Sequence, residues 1–439
     1  MSFEEARSYL DSLGVDAMKA MAPSLVRIEA MCEALNHPER SIPALHITGT
    51  NGKTSTARIA AALLSAAGLS VGTYTSPHLE TLRERITLAG DPISEADFSD
   101  AFEHLRPYLT HVERDLGERL TYFEVLTALF FLWAAEAPVD AMVVEVGLGG
   151  RWDATNVVDG RVSVITNVGF DHTGLLGTDR ASIAGEKAGI IKPGGVVVTG
   201  ERTPEAASVI ADEAGGAGAG LLTLDRDFRL VENDIAVGGR YLAVETSSSG
   251  TYEDLFLPLH GRHQADNAAL ALEAVTRFLP ARRLEQEIVA QGLAETVVPA
   301  RLETIHREEG EPPIVLDVAH NPDGMSALVS SLIETFAFDK VRFVIGILGD
   351  KDYAGMLREI ARVDCAILFC EASSVRSVPA DELGKAAEAL GLTSRSIEQV
   401  PAAVRGALDA AAPGEIVCIT GSHYVVGEAR TYLRQLVSL

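Results

Sequence analysis

The sequence predicts an α/β protein of two domains, a P-loop parallel-sheet domain followed by a smaller, doubly wound, Rossmann-like domain. The 439 residues exceed what one hydrophobic core usually holds. Short apolar segments alternate with segments of helical period, which is typical of parallel sheets. The first apolar segment, 42–47, ends in a glycine-rich loop that leads into a helix. We place the two domains at residues 1–297 and 298–439.

The elements of the first domain follow from this alternation. Helices over 3–12 and 24–36 precede the first strand, and a buried helix is expected over 122–135, where apolar residues occupy almost every face. A hairpin with a Gly-Asp turn covers 86–92, and Ser94 caps the next helix. Further strands are predicted at 70–74, 141–146 and 162–167.

The loop after the first strand has the composition of a phosphate-binding loop. Its backbone N–H groups and the positive end of the next helix would converge on an anion, and Lys53 would add a positive charge. Ile47 stands where the general eight-residue pattern has glycine, so the match is to a shorter variant. The alternative is an ordinary turn before a helix. The residues predicted to bind phosphates and Mg²⁺ here are Gly49, Thr50, Asn51, Gly52, Lys53, Thr54 and Ser55.

Polar residues also follow the other strands of the first domain. Ser76, Glu145 and His172 lie at the predicted carboxyl ends, where parallel sheets form their binding crevice. Singly, each has a simpler explanation: a turn serine, a surface carboxylate and a structural histidine. Together, at the same edge as a phosphate loop, they predict a magnesium site.

Composition and charge exclude several classes of partner. A formal net charge of −25 argues against nucleic acid or an anionic membrane as a main partner. The four cysteines lack a Cys-x-x-Cys spacing, which indicates reduced core residues. The acidic N-terminus is unlike a signal peptide, and the longest apolar run, 126–135, is too short to span a membrane. We therefore expect a cytoplasmic protein that acts on small molecules.

The second half of the chain repeats the alternation of strands and helices. A β-rich stretch at 228–259 and helices at 262–279 and 283–293 lead to a predicted hinge at 296–300. Residues 350–352 also follow a strand, but their charged composition favours a solvated loop. The strands predicted in this part are 314–318, 342–348, 365–370 and 416–420.

Eight short motifs occur in order along nearly the whole chain. They are GTNGK at 49–53, YTSPHL at 74–79, EVGLGGRWDATN at 145–156, EKAGIIKPG at 186–194, HGRHQADN at 260–267, ARLE at 300–303, LDVAHNPDG at 316–324 and TGSHY at 420–424. Each motif alone is modest. In this order they closely resemble the folylpolyglutamate synthase/dihydrofolate synthase family of the Mur ligase superfamily.

The resemblance implies an ATP-dependent carbon–nitrogen ligase with an ATPase domain at its N-terminal end. A folate-type carboxylate attacks the γ-phosphate of ATP, and the amino group of glutamate then attacks the acyl phosphate. Two Mg²⁺ ions are implied, held by Ser76, Glu145 and His172. Lys53 and His320 match catalytic positions, and His320 would lie close to the reacting phosphate and the incoming glutamate. Further nucleotide-contacting positions are matched by Asn267, Arg301 and Asp317.

A third catalytic position implied by the resemblance is Lys187. The family carbamylates this lysine, which turns a cation into an anion beside the metal ions. From the residues alone, a solvated lysine on a helix is the simpler interpretation. The resemblance also implies a pterin and folate side at Ser76, Pro77, His78, Arg83, Arg85 and Phe123, and a glutamate side at Ser422.

Three residues depart from the family pattern. Thr54 stands where the folate branch usually has glycine, Val318 where glycine is frequent, and His423 where an apolar residue is common. A Mur-type ligase for another acceptor is therefore one alternative, and a ligase that binds ATP without turnover is another. A nucleotide switch is the alternative from a different class, because residues 171–174 have the spacing of a GTPase Asp-x-x-Gly, although no Asn-Lys-x-Asp occurs. The motifs leave open whether the acceptor is dihydropteroate, a tetrahydrofolate or both, and we expect a monomer.

Overall fold

The computed structural model describes residues 1–14, 24–279, 284–305 and 311–436 and confirms the two-domain α/β fold. Each domain is built on a largely parallel sheet, and a small antiparallel sheet belongs to the first. Among the described residues, none of the helices combines the length and apolarity needed to cross a bilayer.

An eight-stranded sheet forms the centre of the first domain. Its strands are β1 (Ala44–Thr48), β2 (Val71–Tyr74), β3 (Ile86–Leu88), β4 (Asp91–Pro92), β5 (Ala141–Glu145), β6 (Val162–Ile165), β7 (Val196–Thr199) and β8 (Gly220–Thr223). They lie in the order β4-β3-β2-β5-β1-β6-β7-β8, in which the β2–β3 and β3–β4 pairs are antiparallel and the other pairs are parallel. The central strand β1 is buried along its whole length and pairs in parallel with β5 and β6. The prediction omitted β7 and β8.

Eight helices described before residue 220 surround this sheet. They are α1 (Phe3–Ser12), α2 (Val26–Ala34), α3 (Lys53–Ala66), α4 (Glu95–Leu116), α5 (Tyr122–Glu136), α6 (Thr173–Leu176), α7 (Arg180–Ala188) and α8 (Pro204–Gly216). The prediction that α5 is buried on almost every face is confirmed, because the helix packs against α2, α4 and β2. Its first turn is fixed by a capping box between Thr121 and Glu124.

A three-stranded antiparallel sheet completes the core of the first domain. It consists of β9 (Arg229–Ala236), β10 (Gly239–Thr246) and β11 (Gly250–Leu257) and is followed by α9 (Arg262–Phe278) and α10 (Gln286–Ala294). Its buried side chains pack with those of α3, α9 and α10 in one hydrophobic cluster. Residue 283, where the prediction began the last of these helices, lies outside the described residues. The packing fixes α9 beside the start of α3.

The second domain is doubly wound around a six-stranded sheet. Its strands are β12 (Glu303–Ile305), β13 (Ile314–Leu316), β14 (Lys340–Ile345), β15 (Cys365–Glu371), β16 (Ser394–Gln399) and β17 (Glu415–Thr420), in the order β12-β13-β17-β14-β15-β16. One face carries α11 (Pro322–Thr335), α12 (Tyr353–Ile360) and α13 (Ala380–Glu388), and the other carries α14 (Val400–Ala410) and α15 (His423–Leu436). The prediction omitted β12 and β16. The predicted boundary at 297/298 falls between α10 and β12 and stays a prediction.

Candidate active site

A cavity of about 630 Å³ lies where the carboxyl ends of both parallel sheets face each other. The loops that line it follow β1, β2, β5 and β6 in the first domain and β13, β14 and β17 in the second. Most of the residues predicted from sequence line it: Gly49, Thr50, Asn51, Gly52, Lys53, Thr54, Ser55, Ser76, Pro77, Arg85, Phe123, Glu145, His172, Lys187, Asn267, Arg301, Asp317, His320 and Ser422. His78 and Arg83 do not.

The phosphate loop has the backbone geometry that its sequence indicates. Gly52 has φ +84°, and a Cβ atom there would lie 2.4 Å from the side-chain oxygen of Asn267 on α9. Only glycine fits this position. The loop is tied to the end of β6, because the backbone N–H groups of Thr50 and Asn51 donate to Asn167 at 2.9 and 3.0 Å. Lys53 donates to two carbonyl oxygens of its own loop. The N-terminus of α3 therefore points into the cavity with its cation beside it.

Glu145 is a buried carboxylate without a cationic partner. Its side chain is 1% exposed, and it accepts hydrogen bonds from the Thr54 hydroxyl at 2.9 Å and from the Ser76 N–H at 3.1 Å. Among the described residues, no Lys, Arg or His forms an ion pair with it. Burial raises its pKa. A buried carboxylate beside two hydroxyl side chains fits a hard divalent cation.

His172 lies on the other side of the cavity with a left-handed backbone, at φ +51°. Its ring is 3.9 Å from both Asp171 and Asp350, and burial lowers its pKa to about 4. A neutral imidazole is the form that binds metal. Within the described parts of the chain, no cluster of three or more His, Cys, Asp and Glu side chains converges on one point. A metal site here would therefore draw on hydroxyl and phosphate oxygens as well as Glu145 and His172.

Lys187 corrects the simpler sequence interpretation, because it is buried rather than solvated. The residue is 3% exposed at the end of α7, and no ion pair or hydrogen bond to its amine is found among the described residues. Burial and the nearby Lys53 charge lower its pKa to about 7, against the weaker influence of Asp171 and Asp153. A large fraction of this lysine is therefore the neutral, nucleophilic amine at neutral pH.

Lys351 corrects part of a second expectation: Asp350 and Asp352 are exposed, as the predicted solvated loop at 350–352 requires, but Lys351 lines the cavity. The Lys351 side chain is only 6% exposed, and its amine is 2.5 Å from Asp171 of the first domain. The Asp171 carboxylate also lies 3.4 Å from His320 and 3.3 Å from the Asn321 amide. Burial opposes ionisation of Asp171, but His320, His172 and Lys351 outweigh it and hold its pKa well below the usual range. The sequence signal for Lys351 is its position after a parallel strand, which the charged composition of residues 350–352 outweighed.

Asparagines add a second contact between the domains beside the phosphate loop. The side chains of Asn51 and Asn321 form two hydrogen bonds with each other, at 3.1 and 3.3 Å. Asn321 also caps α11 by accepting from the N–H of Gly324 at 2.7 Å. The phosphate loop is thus joined to the first helix of the second sheet.

Arg301 is held in the cleft by strained backbone on both sides. Ala300 and Leu302 have φ +55° and +48°, which residues with a Cβ rarely adopt. The Glu303 carboxylate accepts from the Ala300 N–H at 2.8 Å, and the Asp317 carboxylate accepts from the Leu302 N–H at 3.0 Å. Burial raises the pKa of Asp317, whose other oxygen accepts from Ala319. Asp317 thus fixes the turn that presents Arg301.

The part of the cavity where the sequence predicts the pterin and folate side is aromatic, with Tyr122 and Phe123 in its lining. Phe123 lies so close to the loop after β5 that a Cβ at Gly147 would be 2.5 Å from its ring. Arg85 stacks over Tyr122 at 5.5 Å and donates to His78, which lies behind it, while Arg83 donates to a backbone carbonyl at 3.1 Å. A flat, partly polar ring system fits this surface. Ser422, predicted at the glutamate side, also accepts from the N–H of Val425 in the first turn of α15.

The chain is similar to known proteins over both domains. The model described as the Mur ligase middle domain matches residues 47–275, and that of the Mur ligase, glutamate ligase domain matches 300–423. A curated relative from Mycobacterium tuberculosis, dihydrofolate synthase/folylpolyglutamate synthase, is 40% identical over 93% of this chain and 90% of its own.

Solved structures extend the similarity to three dimensions. Mycobacterium tuberculosis folylpolyglutamate synthase complexed with ADP matches with a TM-score of 0.92 and 39% identity, over 98% of this chain and 97% of that one. Escherichia coli FolC in complex with DHPP and ADP matches with a TM-score of 0.88 and 30% identity, over 99% and 98% of the two chains.

Proposed function

Since this chain belongs to the folylpolyglutamate synthase/dihydrofolate synthase family of the Mur ligase superfamily, we propose that its interdomain cavity is the active site in which glutamate is joined to a folate-type carboxylate. The chain is an ATP-dependent carbon–nitrogen ligase. One observation supports the proposed position of the active site. The phosphate loop, the buried carboxylate of Glu145 and the buried amine of Lys187, neither of which has an ion pair within the described ranges, share one cavity with the ends of the second sheet.

ATP would bind with its phosphates on the N-terminus of α3. The loop N–H groups and Lys53 would contact the phosphates, and Asn267 would lie at the nucleotide where α9 meets Gly52. Arg301 and Asp317 would contact the nucleotide from the second domain. Binding from both domains would bring the second sheet over the phosphates and exclude water from them.

Magnesium would be held by Ser76, Glu145 and His172, with Thr54 beside Glu145. Its chemical contribution would be to neutralise charge that spreads over the transferring phosphoryl oxygens. Carbamylation of Lys187 would suit the same site, because the neutral amine can take up CO₂ and the product is an anion. The buried Glu145 carboxylate and the carbamate on Lys187 would then be two anions beside the bound cations.

The rest of the chemistry requires positioning rather than a side-chain nucleophile. Both the acceptor carboxylate and the ATP phosphates are anionic, so Lys53, Arg301 and Lys351 would offset their repulsion. The carboxylate oxygen attacks the γ-phosphorus, and ADP leaves. The glutamate amine then attacks the carbonyl carbon of the acyl phosphate, and phosphate leaves. His320, beside Asp171, would orient the reacting phosphate and the incoming glutamate.

The acceptor would be a pterin or folate that stacks against Phe123 with its carboxylate directed at the phosphate loop. We propose that dihydropteroate, tetrahydrofolate or both are accepted, and that the enzyme acts as a cytoplasmic monomer. The four cysteines are buried and free, as in reducing compartments. ATP, glutamate and the acceptor would be its partners.

The test is ADP release with Mg-ATP and L-glutamate, with dihydropteroate in one reaction and tetrahydrofolate in another, each product being identified by mass spectrometry. Glutamate addition in either reaction supports the proposal and names the acceptor. No glutamate-dependent ADP release with either acceptor, from folded protein that binds ATP, would contradict it. A different Mur-type acceptor would then be the better assignment.

A further inference from the structure

Arg430 on α15 joins two carboxylates that belong to different domains. Its guanidinium contacts both oxygens of Glu303 on β12 at 3.0 to 3.2 Å, and it also pairs with Glu80 in the loop after β2. The side chains of Arg430, Glu303 and Glu80 are 13%, 23% and 15% exposed. Shielded arginine–carboxylate pairs of this kind have a defined geometry. Arg430 does not line the cavity, so it can act on the site only through its partners.

Glu303 holds the strained turn that presents Arg301. Its carboxylate accepts from the Ala300 N–H at 2.8 Å, and Ala300 and Leu302 both have positive φ. Such a conformation persists only where the surrounding structure holds it. The Arg301 guanidinium donates to the Ala300 carbonyl oxygen at 3.2 Å, and no carboxylate among the described residues forms an ion pair with it. The direction of Arg301 therefore depends on the turn.

The Glu80 end of this chain of contacts is fixed within the first domain. The Glu84 carboxylate accepts from the backbone N–H groups of residues 79–81 at 2.8, 3.1 and 2.9 Å. These three hydrogen bonds make the loop after β2 rigid around Glu80. The position of Arg430 is thus set from both domains, and Glu303 is held by a cation that has little freedom to move.

We infer that Arg430 is a positioning residue for the nucleotide site: it holds Glu303 against the Ala300 N–H and so keeps Arg301 directed into the cavity. The inference rests on the proposed function, in which Arg301 contacts the nucleotide. Without Arg430, the Glu303 carboxylate loses its bidentate partner, and the turn can relax to negative φ. Arg301 then leaves its place. Because Arg430 is also bound to Glu80, the first domain takes part in holding Arg301.

Calorimetry with Mg²⁺ and AMPPCP, an ATP analogue that is not hydrolysed, tests this inference without any acceptor. Arg430→Gln should weaken binding of the analogue about five- to tenfold, which corresponds to a turn that is in place about 10–20% of the time. Arg301→Met should weaken binding at least as much. The double variant should bind no more than about twofold more weakly than Arg301→Met, because Arg430 acts through Arg301. A merely structural role would add its own loss to that of Arg301→Met.

Arg434→Gln is the matched control. Arg434 lies one turn further along α15 and pairs with Glu80 at 3.2 Å, but in the described part of the chain it has no ion pair with Glu303. Its replacement should change the affinity for the analogue by less than about twofold. Gly427→Ala removes no ion pair of Arg430, so it should also leave nucleotide affinity unchanged.

Turnover provides a second readout that separates positioning from a loss of folded enzyme. In Arg430→Gln, KM for ATP should rise about five- to tenfold, because the turn must be restored when the nucleotide binds. At saturating ATP the bound nucleotide holds Arg301 in place, so kcat should fall by less than about threefold. Partial unfolding would lower kcat and leave KM for ATP unchanged.

Any of three results would overturn the inference. The first is unchanged affinity for the analogue in Arg430→Gln or in Arg301→Met. The second is an additive loss in the double variant, and the third is an equal loss in Arg434→Gln. Failure of the proposed function would look different, because the variants would then show the expected nucleotide affinities while no folate acceptor supported glutamate-dependent ADP release in wild type.

Discussion

Replacing Lys187 with methionine should stabilise the protein while it destroys activity. The buried amine has a pKa of about 7, compared with 10.5 for an ordinary lysine. This difference corresponds to about 5 kcal/mol of penalty for holding the charged form in the fold. Methionine has a similar shape and no charge, so Lys187→Met removes the penalty. Turnover should fall nearly to zero because the variant cannot form the proposed carbamate.

The pH dependence of this stabilisation follows from the two pKa values. Below pH 7 both the folded and the unfolded chain bind the proton, and the full penalty of about 5 kcal/mol is present in wild type. Between pH 7 and 10.5 only the unfolded chain binds it, so wild-type stability rises by about 1.4 kcal/mol per pH unit. Above pH 10.5 the penalty is gone. The variant should therefore gain most at pH 6–7 and progressively less toward pH 10.

Denaturant unfolding of both proteins at pH 6, 7, 8 and 9 in CO₂-free buffer measures this difference. Lys385→Met is the matched control, because Lys385 is exposed on α13 and its replacement should change stability by less than about 0.5 kcal/mol at every pH. Added bicarbonate should stabilise wild type and leave Lys187→Met unchanged, since only wild type can form the carbamate. A stability difference that is the same at pH 6 and pH 9 would refute the reasoning, and so would full activity in the variant.

Three further perturbations test the geometry of the cleft. Gly52→Ala places a methyl group where φ is +84° and where the side-chain oxygen of Asn267 is 2.4 Å away. Nucleotide affinity, measured by calorimetry, should therefore fall at least about tenfold. Circular dichroism should show that the fold is retained. Lys351→Met and Asp171→Asn should show a coupling of about 1–3 kcal/mol in a double-mutant cycle on kcat/KM, whereas additive effects would mean that their 2.5 Å contact does not act in turnover. Gly427→Ala should raise KM for the folate acceptor about tenfold and leave KM for ATP unchanged. The added methyl group would lie 2.1 Å from the Leu79 carbonyl oxygen and would displace the loop after β2. A normal KM for the acceptor would show that this loop tolerates the shift.

Ion pairs from the same helix, α15, also hold the loop after β2. Arg430 of α15 pairs with Glu80 in the loop after β2 and with Glu303 of β12 at 3.0 Å. Arg434 adds a contact to Glu80 at 3.2 Å. The loop that contains Ser76 and Pro77 is therefore held by ion pairs from a helix of the other domain. Its position depends on the relative placement of the domains.

The amino-acid sequence was sufficient to predict the fold class and most of the helices and strands that carry the site. Alternating apolar segments located β1, β2, β5 and β6, since a strand buried on both faces must be apolar along its length. The glycine and lysine of the phosphate loop were identifiable because backbone conformation and anion binding are local properties. Motif order identified the family. The strands β13, β14, β15 and β17 of the second domain were predicted to within a few residues, whereas β12 and β16 were omitted.

Only the tertiary structure decided what is buried and what is paired. Lys187 and Lys351 looked like solvated charges, because burial depends on which distant segments cover a side chain. The contacts of Asp171 with Lys351 and of His423 with His320 join residues that are separated along the chain by 180 and about 100 positions. Local pattern carries no information on such contacts. The pKa of each buried group depends on its burial and on the charges that the fold brings beside it.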